Sequence, residues 1–271
     1  MRSSVLITGC SSGIGLQTAI YLKTQGYRVF ATARKNEDID TLLSLGFEAF
    51  YLDVTNQESI TNCLKEILKL THGTLDVLFN NAGFGQPGAV EDIETDTLKE
   101  QFETNVFGLH EVTIQVLPIM KAQGYGKIIQ HSSVLGLVSL KLRGAYNASK
   151  YAIEGLTDTL RLELIDTNID VTLLNTGPII SEFRSNAKDK LLENIDIKQS
   201  RFKDTYLKNL EQSKSDVPFT LQAIEVAKIV EKIILSKKVA PRYYITKATH
   251  LLGFAKRILS TSYLDKLLKK F

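Results

Sequence analysis

Tryptophan is absent from this chain, and cysteine occurs only twice, at Cys10 and Cys63. Two thiols so far apart outline no disulfide framework, and their scarcity fits a reducing compartment. The four histidines are dispersed, with no cysteine at ligand spacing, so no metal site is expected. No apolar run approaches the roughly 20 residues of a membrane-spanning helix. The apolar stretch at residues 1–7 is too short for a signal peptide, and a cytoplasmic protein is the expectation. Proline is also sparse, five residues in 271, and no Ser/Pro-rich linker, low-complexity run or repeat divides the chain. Nor is there an excess of one charge. Thirty-three Lys and Arg against 30 Asp and Glu leave +3. With no helix-turn-helix or ribonucleoprotein motif, nothing points to nucleic acid.

What the chain does have is alternation. Short apolar, β-branched runs lie at 4–7, 27–32, 48–52, 75–80, 127–131, 170–174 and 242–245. Stretches of helical period separate them, at 15–25, 38–45, 57–70, 96–122, 146–167 and 221–236. This pattern predicts a parallel sheet with helices on both faces, and an apolar fraction of 44% is ample for its core. In such sheets ligands sit beyond the carboxyl ends of the strands. Gly9, Asp53, Asn80, Ser133 and Gly177 each fall at or just past such an end.

The residues at those ends form a pattern. Thr8-Gly9-Cys10-Ser11-Ser12-Gly13-Ile14-Gly15 joins the first strand to the first helix. Glycines there allow positive φ and let a pyrophosphate approach the backbone, and the helix N-terminus offers unpaired N–H groups. Far downstream, Tyr146 and Lys150 stand i,i+4 and so share a helix face. Ser133 lies 13 residues before Tyr146, and between the two regions come Asn80-Asn81-Ala82-Gly83 and an isolated Asn105. Each alone has an ordinary explanation: a turn, a snorkelling pair, a surface amide. Five such features in one order do not arise easily by chance.

This combination resembles the short-chain dehydrogenase/reductase family, over roughly the whole chain and most densely from Val5 to Ser181. The runs TGCSSGIG, NNAGFG, SSVLGL and GPI are most similar to an NADP-dependent branch. That branch includes bacterial aldehyde reductases and the steroid and retinol dehydrogenases. The resemblance implies a doubly wound Rossmann-type α/β fold with a parallel sheet of about seven strands. It further implies a catalytic domain over residues 1–247, with a helical substrate lid at about 182–219, and a helical extension over 248–271.

The cofactor implied is NADP(H). Gly9, Ser12, Gly13, Ile14 and Gly15 would cradle its phosphates. Where an NAD binder places an acid, Ala33 stands and Arg34 follows, suited to a 2′-phosphate, with Ser12 as a second donor. Asp53 and Val54 would meet the adenine, Asn80, Ala82 and Gly83 the nicotinamide ribose, and Gly177, Ile179 and Ser181 the carboxamide. One departure is that Thr176 replaces the family's proline and Ser181 its threonine. The implied tetrad is Asn105, Ser133, Tyr146 and Lys150. Tyr146 is the acid in reduction and the base in oxidation. Lys150 favours its phenolate and holds the ribose. Ser133 donates to the substrate oxygen, and Asn105 holds a water behind Lys150.

The expected reaction is reversible reduction of an apolar aldehyde or ketone. Phe183, Leu191, Leu192, Ile195, Phe202, Tyr206 and Leu210 of the lid either line the pocket or pack as inner helix faces. Leu135, Leu137, Val138 and Leu140 would add apolar wall. A 3-oxoacyl thioester reductase and a non-catalytic NADP-binding regulator are the alternatives. The long helices imply a homodimer or homotetramer, with Phe102, Val106, Leu109 and Val112 as a candidate stripe. Residues 248–271 carry five bases, Lys256, Arg257, Lys266, Lys269 and Lys270, against Asp265, with leucines at helical spacing. That basic amphipathic tail either docks on the protein or touches an anionic membrane.

Overall fold

A computed structural model describes residues 3–211 and 217–269. Lys270 and Phe271 of the tail, and the stretch 212–216 of the lid, lie outside the described residues.

The chain begins β1 (Ser4–Ile7), α1 (Gly13–Thr24), β2 (Arg28–Ala33), α2 (Asn36–Ser44), β3 (Glu48–Tyr51), α3 (Gln57–Thr71) and β4 (Val77–Asn80). It continues α4 (Thr95–Phe102), α5 (Leu109–Gln123), β5 (Gly126–Ser133), α6 (Gly144–Glu163) and β6 (Ile169–Thr176). A two-residue pair, β7 (Ile179–Ile180) and β8 (Leu221–Gln222), brackets α7 (Phe183–Asn194) and α8 (Lys203–Glu211). Then come α9 (Ala223–Leu235), β9 (Arg242–Tyr244), α10 (Lys247–Ile258) and α11 (Thr261–Leu268).

Seven strands form one parallel sheet in the order β3-β2-β1-β4-β5-β6-β9. The strand order reverses between β1 and β4, the point at which a doubly wound sheet opens its crevice. Because both faces are covered, the central strands carry unbroken apolar runs, Val5–Ile7 and Val77–Phe79, and every residue of β1 and β4 is buried. Alternate side chains serve different layers. Val5 and Ile7 pack with Ala19 and Leu22 of α1 and Val226 and Val230 of α9. Leu6 and Leu78 pack on the other face with Ile60 and Leu64 of α3 and Val112 and Val116 of α5. Each fully buried side chain of this size contributes roughly 1.5–3 kcal/mol.

All seven expected strands are present within two residues at each end. The expected helix over 96–122 is one helical run, but it is not uniform. A π-helical segment, Glu103–Gly108, joins α4 to α5 and contains Asn105. The β7–β8 pair had no sequence signal, since two residues carry no period.

Two expectations about packing were open and the structure resolves them. Leu191, Ile195, Tyr206, Phe202 and Leu210 of the lid form their own small core with Ala89 and Ile93, so they are inner helix faces. Leu192 points outward. In the tail, Leu252, Ala255 and Leu264 pack on Val134, Leu135 and Val138, so one apolar stripe docks on the protein. The candidate oligomer stripe also changes. Val106, Leu109 and Val112 are buried within the subunit. Phe107 and Ile114, on the outer face of the same run, are exposed instead.

A partly buried ionic cluster centred on Glu154 ties α6 to three strands. Glu154 accepts hydrogen bonds from Ser132 Oγ at 2.5 Å, Asn175 Nδ2 at 2.6 Å and Arg242 Nε at 3.0 Å. Arg242 also pairs with Asp158, one turn further along α6, which in turn pairs with Arg161.

Candidate active site

The glycine loop has the shape its residues force. A β-carbon on Gly15 would stand 2.1 Å from Gly9 O and 2.5 Å from Asn81 Nδ2. Gly9 has φ +71, and a β-carbon there would lie 2.9 Å from Ala82 Cα. Neither position tolerates a side chain, so the backbone is bare where β1 turns into α1. Ser12 is the N-cap of α1, yet its side chain makes no capping hydrogen bond. The hydroxyl and the first-turn N–H groups of α1 are therefore available to a phosphate. Ser181 closes in from the other side, 3.2 Å from the position a Gly13 β-carbon would take. Buried Ile179 and partly buried Gly177 and Ile14 complete this rim.

The loop is held from β4. Thr8 Oγ1 accepts from the backbone N–H groups of Asn81 and Ala82, both at 3.0 Å, and Asn81 Nδ2 donates to Thr8 O and Gly9 O. Asn81 Oδ1 meets the His131 ring at 3.1 Å, and the far ring nitrogen meets Thr176 Oγ1 at 3.1 Å. Burial, with the Lys150 charge adding to it, pushes His131 down to about 3. It is a neutral strut between β4, β5 and β6. Asn80 differs from the expectation drawn for it. Its Nδ2 donates to Thr113 Oγ1 and Gln130 Oε1, both at 2.9 Å, so its side chain faces α5 rather than the crevice. Ala82 and Gly83 remain on the crevice side, where Gly83 backs onto Asn105.

Arg34 is exposed directly after β2, beyond buried Ala33, and pairs with no carboxylate among the described residues. Asp53, after β3, turns its own loop by accepting from Thr55 N and Oγ1, and Val54 beside it packs under Gly108.

Ser133 ends β5, and Tyr146 and Lys150 lie on the first turns of α6. The Ser133 hydroxyl faces the Tyr146 phenol and favours its ionised form. Burial works against that and lifts the phenol to about 12, while Ser133 and the Arg143 charge pull it back. Lys150 Nζ donates to His131 O at 2.7 Å and lies 5.6 Å from the Tyr146 ring centre. Burial lowers Lys150 to about 8, and the Glu154 carboxylate one turn on pulls it upward.

Asn105 sits in the π-helical turn, a distortion that often marks function. Its Oδ1 accepts from Phe84 N at 3.0 Å, and its Nδ2 donates to Phe84 O at 2.9 Å and Ser149 Oγ at 3.2 Å. The amide thus clasps the strand-end backbone and the Tyr–Lys helix together. Both of its N–H groups are spent there and neither is left for a water behind Lys150.

Two side chains adjoin the phenol: Phe183, one of the lid residues named as candidate pocket wall, and Arg143, which had no sequence signal. The Phe183 ring, at the start of α7, lies 5.4 Å from the Tyr146 ring centre. Both rings press on Gly85, where a β-carbon would stand 2.7 Å from Phe183 and 3.5 Å from Tyr146. Arg143, just before α6, follows Leu142, whose φ is +59, an uncommon conformation for a non-glycine residue. Leu142 O accepts from Gly88 N at 3.0 Å, which pins this bend beside the lid core. Arg143 has no carboxylate partner among the described residues. The contact of Arg143 with the phenol's surroundings appears only once the fold brings the two together.

Cys10, although in the glycine loop, is fully buried and donates to Ile7 O at 3.3 Å. Burial pushes its thiol up to about 12, so it offers no thiolate. No cluster of metal ligands occurs among the described residues.

Comparison with known proteins bears on the family and the fold. The family model described as short chain dehydrogenase matches residues 3–192. The oxidoreductase YbbO of Escherichia coli (strain K12) is 39% identical over 99% of this chain and 95% of its own. Retinol dehydrogenase 8 of Bos taurus is 36% identical over 87% of this chain and 78% of its own. A solved actinorhodin polyketide ketoreductase with NADPH matches 93% of this chain and 97% of its own, with 29% identity and a TM-score of 0.76. A solved short chain dehydrogenase/reductase from Burkholderia phymatum, in complex with NAD, matches 99% and 95%, with 25% identity and a TM-score of 0.78.

Proposed function

The chain belongs to the short-chain dehydrogenase family, and from that premise we propose that it is an NADPH-dependent reductase of apolar aldehydes and ketones, running in reverse on the matching alcohols. The observation that carries this reading is the meeting of Ser133, Tyr146 and Lys150 beside a glycine loop that has no room for side chains. When bound, the nicotinamide supplies or accepts the hydride. Gly9, Gly13, Gly15 and Ser12 would hold its phosphates, and Lys150 its ribose. Tyr146, protonated at neutral pH, gives its proton to the substrate oxygen, and Ser133 orients that oxygen with a hydrogen bond. Lys150, charged below about pH 8, stabilises the phenolate left behind. Asn105 acts as a positioning residue through its clasp on Phe84 and Ser149. Retention of all four tetrad residues argues against a non-catalytic regulator.

A second reading is reduction of a 3-oxoacyl thioester on a phosphate-bearing carrier. The observation in its favour is Arg143, a cation with no carboxylate partner among the described residues, whose charge reaches the Tyr146 phenol. Initial rates of NADPH oxidation over a panel of aldehydes, ketones and 3-oxoacyl thioesters separate the two. Turnover of apolar aldehydes above thioesters supports the first, and the opposite order replaces it with the second.

Preference for NADPH over NADH rests on Arg34 and on the missing acid at Ala33. A charge-assisted contact of this kind is worth about 1.5–3 kcal/mol. Arg34→Ala is therefore expected to weaken NADPH binding by roughly 10–100-fold and leave NADH binding unchanged. Equal dissociation constants for the two cofactors in the unaltered protein would remove this assignment.

Reductive kcat/KM, which reports groups of the free enzyme, is expected to be level up to about pH 8 and to fall above it, as Lys150 loses its charge. The sign follows from the role of the charged form. A profile that rises through that range would show that protonated Lys150 is not required.

We also infer a dimer or tetramer. Phe107 and Ile114 on the π-turn and α5, and Tyr151 and Leu156 on α6, are exposed apolar residues on adjoining helices. Light scattering should give a multiple of the 30.2 kDa chain. A monomeric mass at micromolar concentration contradicts it.

A further inference from the structure

Helix α10 carries two apolar stripes, and the protein covers only one. Leu252 and Ala255 are buried against Val134, Leu135 and Val138, the segment that follows Ser133. Leu251, Phe254 and Ile258 form the second stripe, at i, i+3 and i+7, and they are 61%, 64% and 63% exposed. Tyr263, at the start of α11, is 65% exposed. A single exposed leucine is ordinary, but three large apolar side chains aligned on one helix face are a surface awaiting an occupant.

The charges around the stripe identify that occupant. Lys247 stands one turn before Leu251 in the same row, and Arg257 adjoins Ile258. Lys266 Nζ lies 5.3 Å from the Tyr263 ring centre. Lys256 and Lys269 add two more bases, and Asp265 is the sole acid between residues 247 and 269. An apolar helix face bordered by bases, with an aromatic beside it, is the composition of a helix lying in a lipid headgroup layer. A second copy of the same face fits less well, because a two-fold contact would set like charges together. No helix among the described residues is long and apolar enough to cross a membrane, so contact would be with the surface.

We propose that α10 and α11 dock this protein on an anionic lipid bilayer through Leu251, Phe254 and Ile258, with the flanking bases on the headgroups. The buried stripe of the same helix roofs the apolar segment after Ser133, so docking would set the bilayer close to the substrate side of the site. That last consequence rests on the reaction proposed above, whereas the docking itself does not.

The test is co-sedimentation of the full chain with vesicles of phosphatidylcholine and phosphatidylglycerol, and with pure phosphatidylcholine. At low salt the partition coefficient should be higher on the anionic vesicles by on the order of tenfold or more. The triple variant Leu251→Ser, Phe254→Ser, Ile258→Ser should lose roughly a hundredfold while still binding NADPH. A milder pair, Arg257→Gln with Lys266→Gln, leaves the apolar stripe intact and should lower the preference for anionic vesicles several-fold or more, which keeps the test decisive if the triple variant fails to fold. Wild-type protein that stays in the supernatant with anionic vesicles overturns the proposal, as does a triple variant that pellets like wild type. A triple variant of lower mass in solution, from a wild type that ignores vesicles, would assign the stripe to an interface between copies. No readout here involves turnover, so failure of docking and failure of the proposed chemistry are separate results.

Discussion

Tyr146→Phe is expected to lower turnover by roughly 10²–10⁴-fold while NADPH binding stays within a few-fold of wild type. The substitution removes one hydroxyl and leaves the ring. That ring packs against Phe183 and Gly85 and lies over Lys150, so its loss would disturb the crevice, whereas loss of the oxygen alone should not. What disappears is the proton that burial keeps on the phenol at neutral pH. Ser133 also offers a hydroxyl beside the phenol, but an aliphatic hydroxyl is a far weaker acid than a phenol. It should not substitute as the acid. Turnover of Tyr146→Phe near the wild-type rate, with NADPH bound, would exclude the phenol as proton donor.

The second large effect is expected on stability. Glu154→Ala removes the acceptor for Ser132, Asn175 and Arg242 at once. Leaving a buried donor without its acceptor costs about 1–3 kcal/mol. Ser132 and Asn175 are both fully buried, so the two together are expected to cost about 3–5 kcal/mol, while Arg242, only partly buried, keeps Asp158. For a chain of this size that corresponds to a fall in Tm of roughly 6–20 °C. Glu154→Ala combined with Arg242→Ala should cost less than the sum of the single changes, because the two side chains belong to one hydrogen-bond and ion-pair network. The same carboxylate raises Lys150. Without it, the fall of reductive kcat/KM with pH should begin below its wild-type position. An unchanged Tm with an unchanged pH profile would show that the cluster matters neither to the fold nor to Lys150.

Much of this site was legible in the sequence, for a definite reason. Spacing along one element fixes geometry: Tyr146 and Lys150 share a face because they stand one turn apart, and Gly9 and Gly15 are glycines because a β-carbon at either would collide. Position at the end of an apolar run fixes the sheet edge, which is why Ser133 and Asp53 fall at the crevice. Contacts between elements distant in sequence leave no such trace. Glu154 and Arg242 are 88 residues apart, and each alone reads as a surface charge on its element. Asn80 and Asn81 are neighbours with opposite duties, one facing α5 and the other the glycine loop, because successive residues of a strand point to opposite faces. Asn105 lies in a run with ordinary helical composition, and its π-turn appears only in the backbone. The tail showed apolar residues at helical spacing, but one stripe and two stripes look alike until the surface beneath is known. Hence Leu252 and Phe254, two residues apart, are respectively covered and bare.

The most direct test of the proposed chemistry is a single-turnover reaction with NADPH deuterated on the transferring face. Mass spectrometry then reads the product of an apolar aldehyde. With the wild-type protein one deuterium should appear on the former carbonyl carbon, and with Tyr146→Phe at matched NADPH occupancy almost none. Tight NADPH binding with no label transferred to any aldehyde, ketone or 3-oxoacyl thioester would contradict a reductase and leave a cofactor-binding protein of another kind.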